Sequence, residues 1–133
     1  MASILVTMGK QEGNWWPLGT RTTVIGRGEN LLVQILDDLV SRKHLQIRYE
    51  PNTNQYIATD MNSSNGVYVN NRRITTDTVL HDGDSIGIGR SVLMFTDKDF
   101  DDRDSALSHF KKVGERMRPT SYQPRDDEND RRP

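Results

Sequence analysis

The stretch HLQIRYEPNTNQYIAT, residues 44–59, decides how the rest of the chain is read. In its first half Leu45, Ile47 and Tyr49 fall at every second position, with His44, Gln46, Arg48 and Glu50 between them. Successive side chains of a strand point to opposite sides, so this alternation makes one apolar face and one polar face. Pro51-Asn52 interrupts the run with turn chemistry, because proline has no N–H to give a ladder. QYIAT (55–59) then resumes with aromatic and β-branched residues. The expectation is two short strands joined by a turn, with Leu45, Ile47 and Tyr49 facing a core.

The same short period recurs outward from there. SILVTM (3–8), RTTVIG (21–26), VYVN (67–70) and SVLMF (91–95) are further strand candidates. Turn signals separate them: Gly9, Gly13, Pro17, Gly19, Gly28-Glu29-Asn30, Asn65-Gly66, Asn70-Asn71 and Asp82-Gly83. GDSIGIGRSVLMF (83–95) reads as a closing hairpin with Ile86 and Ile88 inward and a turn near Gly89-Arg90. No long helical period occurs before residue 100. Many short strands at close spacing predict an all-β antiparallel sandwich or barrel.

Charge marks the domain boundary. Residues 1–96 carry nine basic and nine acidic side chains, whereas 19 of the 37 residues from 97 to 133 are charged. Beyond Val113 the sizeable apolar groups are Met117 and Tyr122 alone. Such a segment cannot bury enough apolar area to offset the entropy of ordering it. The expectation is a domain over 1–97 and a charged, mostly disordered tail over 98–133. One short helix is predicted at 104–114, DSALSHFKKVG, capped by Asp104 and ended by Gly114; it would be marginal unless it docks on the domain.

Composition excludes several classes. The net charge of −1 argues against a nucleic-acid or anionic-membrane binder. There is no cysteine, which removes disulfides, thiolate catalysis and Cys-ligated zinc. MASILVTMGK has neither a basic start nor a long apolar run, so no signal peptide is expected, and no stretch approaches the ~18 apolar residues of a membrane span. The chain reads as soluble and intracellular, that is, cytoplasmic.

Six of the nine bases in the first 96 residues stand at turns or strand ends: Arg27, Arg42, Lys43, Arg72, Arg73 and Arg90. Loops of a sandwich gather at its two ends, so several of these can share a rim. Gly26-Arg27 follows a strand, and glycine lets the backbone bend so that the arginine projects from the edge. Ser41-Arg42-Lys43 precedes another strand, and Asn65-Gly66 reads as the tight turn of a hairpin, with Asn62, Ser63 and Ser64 adding more small polar groups than the turn requires. Guanidinium, hydroxyl, amide and backbone N–H groups together form the donor set that a phosphate dianion needs.

IGR (25–27), SRKH (41–44), SSNG (63–66) and VYVN (67–70), in this order and spacing, resemble the forkhead-associated (FHA) domain. The resemblance spans residues 4–96. It implies a two-sheet β-sandwich of about eleven strands whose loops at one end read phosphothreonine in an extended segment of a partner, in signalling downstream of a Ser/Thr kinase. By the same resemblance Arg27 contacts the phosphate or the adjacent peptide backbone, and Ser41 donates its hydroxyl to a phosphate oxygen. Arg42 and Ser64 flank the phosphate, and Asn65 holds the ligand backbone. Gly26, His44, Gly66 and Asn70 resemble positions that fix the loops, with Asn70 tying its loop to a neighbour. Ser64 stands where the family often has threonine; the hydroxyl is kept, and the methyl that stiffens χ1 is lost. Arg90 is a candidate for selecting Asp or Glu a few positions after the phosphothreonine. No cofactor or metal is expected.

Other readings compete. Ser41, His44 and one of Asp37, Asp38 or Asp60 could be assembled into a nucleophilic set, but no G-x-S-x-G elbow is present and Ser41 lies only three residues before His44; an enzyme is not expected. The alternative is an FHA-like assembly domain without phospho-dependent binding. Asp82-Gly83-Asp84 lacks the further carboxylates of a calcium site and reads as a hairpin turn. Trp15-Trp16, beside Pro17, reads as edge-strand packing. Thr120 in the tail, once phosphorylated, is a candidate ligand for the protein's own site, helped by high effective concentration.

Overall fold

Alternating apolar residues settle into eleven strands and two sheets in the computed structural model, which describes residues 2–98. In chain order they are β1 (Ser3–Met8), β2 (Trp15–Pro17), β3 (Thr23–Gly26), β4 (Val33–Gln34), β5 (Leu45–Glu50) and β6 (Gln55–Asp60). There follow β7 (Val67–Val69), β8 (Arg72–Arg73), β9 (Thr78–Leu80), β10 (Ser85–Ile88) and β11 (Ser91–Thr96). One sheet runs β2-β1-β11-β10-β7-β8, the other β4-β3-β5-β6-β9. The predicted helix at 104–114, Thr120 and the rest of the tail lie outside the described residues. Among those described, no helix is long and apolar enough to cross a membrane.

The inward rows are those the alternation predicts. Leu45 and Ile47 are fully buried, and Tyr49 packs partly buried against the same core. Ile4, Val6, Ile86, Ile88, Leu93 and Phe95 meet them from the six-stranded sheet. Tyr56 stacks at a tilt between Tyr49 and Phe95, with ring centroids 5.1 and 5.6 Å away. The 83–95 segment forms the expected hairpin: Ile88 pairs with Ser91 across Gly89-Arg90. Trp15 and Trp16 belong to an edge strand, β2.

Four features differ from the sequence reading. His44 does not join Gln46 and Arg48 on the outer side; it precedes β5 and is wholly buried, because loops fold over it. The pairing is not purely antiparallel, since β4 lies parallel to β3 with Ile25 opposite Val33. Asn65-Gly66 does not close a hairpin: β6 and β7 belong to different sheets, so the 61–66 loop crosses the sandwich from one to the other. The hairpin turn is instead Asn70-Asn71, at φ 50° and 70°, between Val69 and Arg72. Asparagine suits it because its short polar side chain tolerates the left-handed region. Asp82-Gly83-Asp84 likewise joins β9 to β10 across the two sheets.

Candidate functional site

The site begins where β3 ends. A Cβ on Gly26 would lie 2.2 Å from the Arg42 carbonyl oxygen, so only glycine lets the 41–42 backbone approach. This closeness, and not a left-handed bend, is why the position is glycine. Across the contact Arg27 N donates to Ser41 O (2.9 Å) and Gly28 N to Arg42 O (3.1 Å), while His44 N donates to Ile25 O (3.0 Å). The IGR and SRKH motifs are thereby zipped side by side.

Arg27 is exposed, and its Nε donates to Val40 O at 3.0 Å. That bond orients the guanidinium. Among the described residues neither Arg27 nor Arg42 is paired with a carboxylate. Arg48, on the five-stranded sheet, behaves differently: it meets Asp77 at 3.0 Å, and the Thr59 hydroxyl, followed by Arg48, holds that carboxyl below its ordinary range.

The second wall is the 61–66 crossover. Asp60 Oδ1 accepts from Ser63 N (3.0 Å), and Ser63 Oγ accepts from Gly66 N (3.0 Å). Ser63 therefore serves its own loop. Ser64 is exposed, and its N–H donates to Ser41 Oγ at 3.0 Å. Asn65 Nδ2 donates to Leu39 O at 2.8 Å, which fixes the plane of its side chain. Gly66 has φ +85°, and a Cβ there would stand 2.9 Å from Arg73 Nε, so the Arg73 guanidinium packs over the loop.

His44 joins the two walls from beneath. Its Nδ1 accepts from Ser41 N (2.9 Å), which assigns the proton to Nε2, and Nε2 donates to Gly66 O (2.7 Å). Both ring nitrogens thus serve loop backbone, and the Ser41 contact runs through its amide and not its hydroxyl. This is no nucleophile–base pair.

The structure brings Arg27, Ser41, Arg42, Ser64 and Asn65 to one end of the sandwich, around Gly26, His44 and Gly66. Asn70 works elsewhere: Nδ2 donates to Asp84 Oδ1 (2.8 Å) and Oδ1 accepts from Ser85 N (3.0 Å), joining the β7–β8 turn to the β9–β10 connection. Sequence reasoning named Asp37 only as a possible triad member and missed what it holds. Its Oδ2 accepts from Arg90 N (2.8 Å) and Ser91 Oγ (2.9 Å), and its Oδ1 from Leu39 N (2.9 Å). One carboxylate thereby ties the β10–β11 turn to the segment whose carbonyls hold Arg27 and Asn65. No sequence signal marks a contact spanning 53 residues.

The family model for the FHA domain matches residues 23–89. The chain belongs to the FHA-domain family. The matched span holds every site candidate from Gly26 to Asn70 and stops one residue short of Arg90. Among relatives of this FHA domain is the oxoglutarate dehydrogenase inhibitor of Corynebacterium jeikeium, 37% identical over 94 residues. That match covers 71% of this chain and 63% of the relative, so the chain spans less than two thirds of its length. The FhaA FHA domain complexed with the intracellular domain of Rv3910 is 30% identical, with a TM-score of 0.63 over 71% of this chain and 99% of that one. A chain from a structural and functional analysis of phosphothreonine-dependent FHA domain interactions is 29% identical, with a TM-score of 0.65 over 74% of this chain and 98% of that one.

Proposed function

We propose that this FHA domain is a non-enzymatic reader of phosphothreonine in extended segments of partner proteins, acting in the cytoplasm downstream of a Ser/Thr kinase. The observation that carries the reading is the pairing of Ser41 and Ser64 beside Arg27. Because Ser41 Oγ accepts from Ser64 N, its own O–H is available to another acceptor, and among the described residues no carboxylate pairs with the Arg27 guanidinium. A phosphate dianion suits that combination, since charged hydrogen bonds are about twice as strong as neutral ones.

Arg27 and Arg42 supply charge, Ser41 and Ser64 supply hydroxyls, and Asn65, oriented by Leu39, bonds the ligand backbone. Phosphothreonine-dependent binding among FHA relatives supports the same assignment. Catalysis has no support in the geometry, because both nitrogens of His44 are committed to backbone. Titration of 15N-labelled protein with a phosphothreonine peptide tests the reading. Amide shifts concentrated at residues 27, 41–42 and 64–65, absent with the unphosphorylated peptide, are expected; shifts elsewhere, or none, would contradict it.

A further inference from the structure

Arg73 stands beside the site and belongs to none of its motifs. Its backbone is fixed on both sides. Arg73 pairs with Tyr68 across the β7–β8 hairpin, and the next residue, buried Ile74, donates its N–H to Val67 O at 2.9 Å. From there the side chain turns back over the start of β7. A Cβ on Gly66 would stand 2.9 Å from Arg73 Nε, 3.0 Å from Cζ and 3.2 Å from Nη2. Three atoms of the guanidinium at nearly one distance place the group broadside over Gly66, not end-on. Gly66 meanwhile turns its carbonyl oxygen inward to His44 Nε2 at 2.7 Å.

A guanidinium carries five N–H donors. Among the described residues that of Arg73 has neither a hydrogen-bond acceptor nor a carboxylate partner, and the residue is exposed. The acids on either side of it in sequence are engaged elsewhere: Asp60 Oδ1 accepts from Ser63 N, and Asp77 from Arg48 and Thr59. An arginine that only braced the loop would spend its donors on loop carbonyls, as Arg27 Nε does on Val40 O.

We propose that Arg73 is a second anion-reading residue of this site, which selects phosphothreonine segments that carry another anionic side chain, a carboxylate or a phosphate, one or two residues from the phosphothreonine. The inference rests on the phosphothreonine reading, with Ser64 beside the phosphate and Asn65 on the ligand backbone. Ser64, Asn65 and Gly66 then lead outward from the phosphate, and two residues of extended chain span about 7 Å. A ligand that follows Asn65 therefore brings its first or second neighbouring residue over Gly66 and its guanidinium. The planar fork of arginine matches the paired oxygens of a carboxylate or phosphate. Arg90 lies on the β10–β11 turn, and β7 stands between β10 and β8 in the sheet, so the two arginines meet different ligand positions.

The test compares wild type with Arg73→Gln, which removes the charge and keeps a side chain over Gly66. Both are titrated with a phosphothreonine peptide of neutral flanks and with versions bearing a single Asp, Glu or phosphoserine at each neighbouring position. Wild type should gain about threefold to fivefold from the added anion at one or two adjacent positions on one side only, as for exposed ion pairs. High salt should shrink that gain. Arg73→Gln should erase it while binding the neutral parent as wild type does, and Arg90→Ala should leave it in place. A gain from phosphoserine alone would support the role with a phosphate as the second anion; a gain from Asp and Glu as well would support it for any acidic side chain. An equal gain in Arg73→Gln, or none at any position while the neutral parent binds, would overturn the proposal. Failure of the neutral parent to bind wild type would contradict the phosphothreonine reading itself, and this inference with it.

Discussion

The Ser64 amide donates to the Ser41 hydroxyl oxygen at 3.0 Å, joining two loops 23 residues apart in sequence. One hydroxyl thus has two tasks on the proposed reading: its oxygen holds the opposite wall of the site, and its proton is given to the phosphate of the ligand. Replacement of Ser41 by Ala removes both. A hydrogen bond to a charged group contributes about 1.5–3 kcal/mol, so calorimetry should show phosphopeptide affinity falling by roughly tenfold to a hundredfold. Unchanged affinity would remove Ser41 from the site.

His44 should matter first to stability. Its ring is buried between Ser41 N and Gly66 O, and His44→Ala leaves a cavity and two backbone groups without partners. Unsatisfied buried groups cost about 1–3 kcal/mol each, so denaturant unfolding should register a loss of at least about 2 kcal/mol, with weaker peptide binding as the walls part. A loss under about 0.5 kcal/mol would mean that the two loops hold each other without it.

These two residues also mark how far the sequence could be read. Leu45 and Ile47 are legible because burial of a strand face is a local, period-two property. His44 obeys no such period, since what holds it is its own preceding loop and the 61–66 crossover between the sheets. The four motifs placed Arg27, Ser41, Ser64 and Asn65 at one rim, and they lie there. What Ser63 does was not legible, because a hydroxyl that serves its own loop has the same sequence as one that serves a ligand. Asp37 was read only as a possible triad member; its true contacts depend on the β10–β11 turn, far along the chain. The two-residue strands β4 and β8 are too short to carry a period at all.

Arg90 supplies a prediction about selectivity. Its backbone N–H, not its side chain, is what binds Asp37, so Arg90→Ala leaves that anchor intact. Loss of the guanidinium should weaken binding only of peptides with Asp or Glu a few positions after the phosphothreonine. The effect should be at most about 1 kcal/mol, as for exposed ion pairs. An array of peptides varied at those positions checks this; equal losses for acidic and neutral peptides would assign selectivity to another loop.

Phosphoserine should bind less well than phosphothreonine. The missing methyl forfeits roughly 0.8 kcal/mol of burial, about a fourfold loss, and leaves the phosphate free to swing about χ1. Matched peptides differing only in that methyl give the comparison. Equal affinities would mean that the site reads the phosphate alone.

The most direct test of phosphothreonine reading is the affinity of wild type and Arg27→Ala for a broad phosphothreonine peptide library. The geometry around Arg27 predicts that wild type selects phosphorylated members over their unphosphorylated counterparts. It also predicts that Arg27→Ala, still folded, loses at least about tenfold in affinity, since in the proposed reading the guanidinium held on Val40 makes the charged bonds to the dianion. Absence of binding to any member by wild type, or equal binding by Arg27→Ala, would contradict phosphothreonine recognition and leave an FHA-like assembly surface in its place.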